Sequence, residues 1–196
     1  MNKYLLLILL LMSSCAPFIL INDNYYRGLT KEQLQEVRKF GDPPVKDSSE
    51  KFLVEITVND LVSSLDNATY TWVHSWVPYC KGEHCMPLGY YDNILQQHKH
   101  RGVQLFLISS TYSYNSVKKQ VPYFSQDVYV IQDERYGHNH GNNLTYFREE
   151  LRYKTKIPQK ILYSDLLFKG DSLIYTTNMM TAAKMDSVIR ATTGVE

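Results

Sequence analysis

The sequence predicts a mixed α/β fold, a central sheet flanked by helices, behind an N-terminal signal and a short helical leader. Three features carry that prediction. Val103 to Ser109, VQLFLIS, is almost wholly apolar, as a strand covered on both faces must be. Ahead of it lie a helical repeat and, earlier still, an aromatic strand-like run; strand, helix, strand in that order makes a parallel pair through a right-handed crossover. Two later short runs on either side of Gly170 read as an antiparallel hairpin.

The first fifteen residues carry one basic residue, Lys3, then the apolar run Leu5 to Met12, then Ser13, Ser14 and Cys15. A short basic region, an apolar stretch too brief for a comfortable membrane span and small residues before a cysteine make a secretion signal. The Met-Ser-Ser-Cys ending resembles a bacterial lipobox, with Met12 where Leu is usual. That resemblance implies a signal over 1–14 and a lipid anchor on Cys15, with a plain secretory peptide or uncleaved anchor as the alternative. The expected division is then 1–14 signal, 15–51 tether and short helix, and 52–196 one α/β domain. Lys plus Arg number 21 against 20 acidic residues, and removing Lys3 with the signal leaves the charges balanced. Nucleic-acid binding gets no support from that balance, because phosphate contacts need a basic surplus.

Thr30-Lys31-Glu32-Gln33 is a capping-box pattern that opens a helix towards Phe40, and Gly41 to Pro44 stop it. Phe52, Val54, Ile56 and Val58 alternate with Leu53, Glu55 and Thr57, the period of a strand. A short helix over Asp60 to Leu65 leads to the strand Tyr70 to Trp76. Leu88, Tyr91, Ile94 and Leu95 have helical spacing from Pro87 towards Arg101, and Gly102 closes that helix. A helical turn over Asn115 to Gln120, a strand Val128 to Ile131, a loop Gly137 to Gly141 and a helix Asn143 to Tyr153 follow. The hairpin is expected from Gln159 to Leu162 and Ser172 to Tyr175, and a last helix spans about Thr181 to Ala191.

The chemistry points to the end of the aromatic strand, where Cys80 and Cys85 stand with four residues between them. A thiol near a helix N-terminus feels unpaired backbone N–H groups, which favour the reactive thiolate. On a regular helix, residues five apart lie about 8.6 Å apart at Cα. A disulfide wants less than about 7 Å. Pairing therefore requires a loop, which Gly82 permits, with Pro87 as the first residue of the helix beyond it. If Cys15 carries lipid, Cys80 and Cys85 are the two remaining cysteines in an oxidising compartment.

The order of elements resembles the thioredoxin-like family, and in particular exported, lipoprotein-type redoxins of bacterial envelopes. The residues that carry this are Trp76 four before Cys80, the Cys80 and Cys85 pair, Pro87, Gly102-Val103, Ile157-Pro158 and Gly170, over about 52–194. The resemblance implies that Cys80 is the nucleophile, that Cys85 resolves, and that Pro158 follows a cis bond and holds the partner chain. Trp76 and Tyr79 would shape the approach. The implied partners are exported proteins bearing thiols or disulfides, reached from a membrane-held position, with no cofactor. The family spaces its cysteines two residues apart, whereas four residues separate them here.

Three readings stay open at this level. One is thiol–disulfide exchange; the second is a static disulfide in an envelope binding module. The third is copper or zinc handling by Cys80, Cys85 and His84 with His138 or His140, since thiolate and imidazole suit those metals. His98 and His100 read as solvated helix residues, His74 as a strand residue among aromatics. Asn67 and Asn143 open short glycosylation-type patterns of low specificity.

Overall fold

The computed structural model describes residues 25–42, 53–80 and 85–194. The expected signal over 1–14, Cys15 and the segment from Lys81 to His84 lie outside them. Elements in chain order are α1 (Lys31–Gln35), β1 (Val37–Lys39), β2 (Leu53–Ile56), α2 (Val58–Ser64), β3 (Tyr70–Trp76), α3 (Leu88–His98) and β4 (Val103–Ser109). Then come α4 (Tyr114–Gln120), β5 (Val128–Ile131), α5 (Asp133–Tyr136), α6 (His140–Lys154), β6 (Asp165–Lys169), β7 (Ser172–Thr177) and α7 (Ala182–Thr193).

Among the described residues the strands form one mixed sheet in the order β1-β2-β5-β4-β3-β6-β7. The first five run parallel, and β6 and β7 are antiparallel. This is the expected α/β architecture of a central sheet with flanking helices. Strand alternation sends successive side chains to opposite faces, so β3 feeds two cores. Trp72, Leu105, Leu107, Val128 and Val130 pack with Tyr91 and Leu95 of α3 and Met185 and Ile189 of α7. Val73, Phe106, Ile108 and Ile131 pack with Leu61 of α2 and Phe147 and Leu151 of α6. Each such fully buried side chain contributes about 1.5–3 kcal/mol.

Several expected boundaries shift for identifiable reasons. The Thr30–Gln33 capping box forms, but its helix stops at Gln35. A five-residue helix is a poorly rewarded nucleus, and Val37–Lys39 instead gain ladder partners at Leu53–Glu55. The leader's strand therefore joins the sheet. All four residues of β2 are buried, so the expected one-sided alternation is absent. Pro87 is the N-cap of α3, one place earlier than the expected N1 position. Gly102 takes φ 74°, and a Cβ there would stand 2.6 Å from Thr69 Oγ1, so glycine is required twice over.

The first strand of the hairpin is Asp165–Lys169, later in the chain than Gln159 to Leu162. Its placement follows from pairing: Leu166, Leu167 and Phe168 lie opposite Val73, Trp72 and Thr71. The residues of 159–163 take no regular structure.

Candidate functional site

Cys80 and Cys85 are joined in a disulfide, with Cα atoms 5.6 Å apart. That separation is the loop geometry expected from the spacing, since a helix would hold them about 8.6 Å apart. The strand β3 ends at Trp76, the Cys80 N–H donates to the Val77 carbonyl at 3.2 Å, and α3 starts only at Leu88. Cys80 is exposed and Cys85 half-buried. Cys85 stands just ahead of the N-terminal turn of an eleven-residue helix, whose positive dipole end favours negative charge.

A residue not singled out from the sequence spans the two flanks of this loop. Gln120, the last residue of α4, donates from Nε2 to the Pro78 carbonyl at 3.0 Å. Its Oε1 accepts from the Leu88 N–H at 3.4 Å. One side chain thus ties the segment entering the disulfide to the helix leaving it. A glutamine in a polar helix gives no local sign of such a role, because both partners are backbone groups more than thirty residues distant.

The other expected site residues separate. Tyr79 is 39% exposed beside Cys80, and its ring meets that of Tyr25 edge-on at 6.4 Å. Burial, then the neighbouring Tyr25, pushes its hydroxyl pKa up. Trp76 is only 5% exposed and belongs to the core, so it offers little surface to a partner. Pro158 corrects an expectation more sharply. No peptide bond among the described residues is cis, and Pro158 is exposed in a bend before β6. The chain that runs beside the end of β3 is Ser164, whose carbonyl accepts from the Ser75 N–H at 2.8 Å.

Behind the loop, β3 carries a buried polar network that only the folded chain assembles. Asp165 is fully buried and accepts at Oδ1 from Trp72 Nε1 and His74 Nδ1, both at 2.7 Å, and at Oδ2 from the Met180 N–H at 3.2 Å. The Tyr91 ring lies 4.3 Å from the His74 ring, and Tyr90 donates its hydroxyl proton to the Met180 carbonyl at 2.7 Å. Burial, then Asp165 and Tyr90, drives the Tyr91 pKa far above the ordinary phenol range. His74 is thus among aromatics as expected, with an acid partner that the sequence conceals.

A second network lies across the carboxyl ends of β2, β4 and β5. The Tyr112 hydroxyl donates to Glu55 Oε1 at 2.6 Å and accepts from the Asp133 N–H at 3.2 Å. Burial and Glu55 together raise the Tyr112 pKa steeply. His138 Nδ1 donates to the buried Asp133 carboxylate at 2.7 Å. This histidine is therefore held at the end of β5 by an acid, and His140 is the first residue of α6, capped by Asn139. With both thiols consumed in the disulfide, no group of three or more His, Cys, Asp or Glu that could hold a metal occurs among the described residues.

His98 also departs from expectation. It is buried, bonded through Nδ1 to the Ile94 carbonyl at 2.8 Å and facing Asp186 through Nε2 at 3.3 Å. Asn143, which opens one glycosylation-type pattern, is fully buried and donates to the Ser110 carbonyl at 3.1 Å.

Comparison with known proteins adds little. No family model matches the chain. No curated protein matches it either. Among solved structures, a thioredoxin-like protein from Bacteroides caccae ATCC 43185 is similar at 12% identity and a TM-score of 0.37, over 62% of this chain. The aligned part is 40% of that protein's chain. A likeness so slight carries no function across.

Proposed function

We propose that the chain is a membrane-tethered thiol–disulfide oxidoreductase of thioredoxin-like type, acting on exported proteins in a bacterial cell envelope. The observation that carries this reading is the Cys80–Cys85 bond itself, set in a loop between a strand end and a helix start with Cys80 exposed. Lipidation of Cys15 would supply the tether. Among the described residues no helix is long and apolar enough to cross a membrane.

In the reducing direction, the Cys80 thiolate attacks one sulfur of a client disulfide and expels the other as a thiolate. The mixed disulfide is then attacked at the Cys80 sulfur by the Cys85 thiolate. The client leaves with both sulfurs reduced, and two electrons have passed from the protein, which regains the Cys80–Cys85 bond. Oxidation of a client dithiol is the same sequence reversed, and the reduction potential of the pair decides the direction. Tyr79 and Tyr25 offer an aromatic rim to the client chain beside the exposed Cys80 residue.

The test is thiol trapping in graded glutathione buffers, with Cys80→Ser and Cys85→Ser as controls. Exchange requires a potential between about −120 and −270 mV and a trapped mixed disulfide on Cys80 in the Cys85→Ser variant. A pair still oxidised below about −300 mV is a static brace, and the chain is then a binding module.

A further inference from the structure

At the end of the sheet away from the disulfide, Tyr70 opens β3 and lies opposite Lys169, which closes β6. With about 3.3 Å of rise per residue, the length of β3 puts this end roughly 20 Å from Trp76. A cavity of about 570 Å³ lies here between the start of β3, the turn after α3 and the last turns of α7. The charged residues that line it are Arg101, Lys169 and Arg190, with Thr69 and Tyr70 among the others and no carboxylate among the described residues of the lining. Like charges gathered around one concavity repel unless something negative lies between them.

Internal partners meet part of that charge. Lys169 Nζ donates to the Thr192 carbonyl at 3.0 Å, which answers the partial negative charge at the C-terminal end of α7. Arg101 gives Nη1 to Asp186 at 2.8 Å; with its side chain 28% exposed, the contact fixes its plane and uses one of five donors. Arg190 makes no side-chain hydrogen bond or ion pair among the described residues. Two guanidinium groups thus present unused donors to a space that no carboxylate lines among the described residues. Planar guanidinium forks match the paired oxygens of a phosphate group better than any other side chain does.

We propose that this cavity is an anion site that takes a phosphate group through Arg190 and Arg101, on a small soluble phosphoester or on a lipid headgroup. The site is remote from the cysteines and stands whether or not they exchange disulfides. If the phosphate belongs to a membrane lipid, binding turns this end of the sheet towards the bilayer and leaves the Cys80–Cys85 end facing away.

The full chain is titrated calorimetrically with inorganic phosphate and with glycerol 3-phosphate, and by flotation with phosphatidylcholine vesicles with and without phosphatidylglycerol. Saturable phosphate binding is expected, weakened about tenfold by Arg190→Ala, the loss of one charge-assisted contact. Lys99→Ala removes the same charge from the neighbouring turn, outside the lining, and is expected to change affinity less than twofold. Vesicle binding above the pure phosphatidylcholine level that falls with Arg190→Ala assigns the headgroup. Phosphate binding without it assigns a soluble ligand. The absence of saturable phosphate binding, or equal weakening by Lys99→Ala and Arg190→Ala, overturns the proposal. Arg190 is exposed, and an unchanged melting temperature in Arg190→Ala checks that the fold survives.

Discussion

Two buried acids, Asp165 and Asp133, each hold a histidine, yet they are built differently. Asp165 is sealed: Trp72, His74 and the Met180 N–H surround its carboxylate, and none of these partners reaches bulk water freely. Asp133 is equally buried, but its partner His138 has 42% of its side chain exposed. The contrast teaches that burial of the acid alone does not set its energetic weight. What matters is whether water can replace a lost partner. In the first network it cannot, because the vacated space is lined by Trp72 and Tyr91; in the second, solvent already touches the imidazole.

The largest expected effect is therefore from Asp165→Ala. It leaves an imidazole, an indole N–H and a backbone N–H buried without an acceptor, and urea unfolding is expected to show a loss of about 3–5 kcal/mol. A loss under about 1 kcal/mol would mean that water enters the network. The histidines sharpen the same contrast: His74→Ala is expected to cost about 1–3 kcal/mol, and His138→Ala no more than about 0.5 kcal/mol. Equal costs would erase the distinction between the sealed and open networks.

A smaller effect belongs to Gln120, which bridges the two flanks of the disulfide loop. Gln120→Leu removes two neutral hydrogen bonds, about 1–2 kcal/mol in sum. If the clamp holds the flanks at their bonded spacing, the pair becomes easier to reduce by up to roughly 20–45 mV, read by the same glutathione titration. An unchanged potential with lowered stability would make Gln120 a structural brace only.

The smallest effect is at the surface. The Tyr114 hydroxyl bond, with help from Lys118, holds the Glu36 carboxyl below its ordinary range. Glu150 is also held low: burial pushes its pKa up, but hydrogen bonds from Arg135 and Tyr136 outweigh it. Carboxyls with depressed folded values contribute stability that is present above about pH 4.3, the unfolded value, and lost as pH falls through the folded value. The urea midpoint is expected to be flat above about pH 5.5 and to fall below about 4.3, with a shallower fall in Glu36→Gln. A slope unchanged in that variant would remove Glu36 from the account.

Much of the scaffold was legible from local pattern. The strands Tyr70–Trp76, Val103–Ser109 and Val128–Ile131 stand where their apolar and aromatic runs put them, because a strand buried on both faces needs such a run wherever it pairs. Helix α3 was equally legible, as was Gly102, which closes the 3-10 turn Lys99–Arg101 that follows it, since caps and amphipathic spacing are properties of neighbouring residues. For the cysteines, spacing said only that pairing would require a loop; whether Cys80 and Cys85 bond to each other or serve a metal stayed open until the fold joined them.

What the sequence determined, then, was each element whose signal lies within its own few turns, together with the pairing chemistry open to Cys80 and Cys85. The tertiary structure alone decided which strand lies beside β3 and that Pro158 stands in an exposed bend with a trans bond before it. It also decided that Asp165, Trp72 and His74 share one buried carboxylate, and that Gln120 reaches both flanks of the loop. The physical reason is common to all of these. A buried polar group or an edge of backbone is stable only when a partner distant in the chain arrives to satisfy it, and no local periodicity records which partner that is.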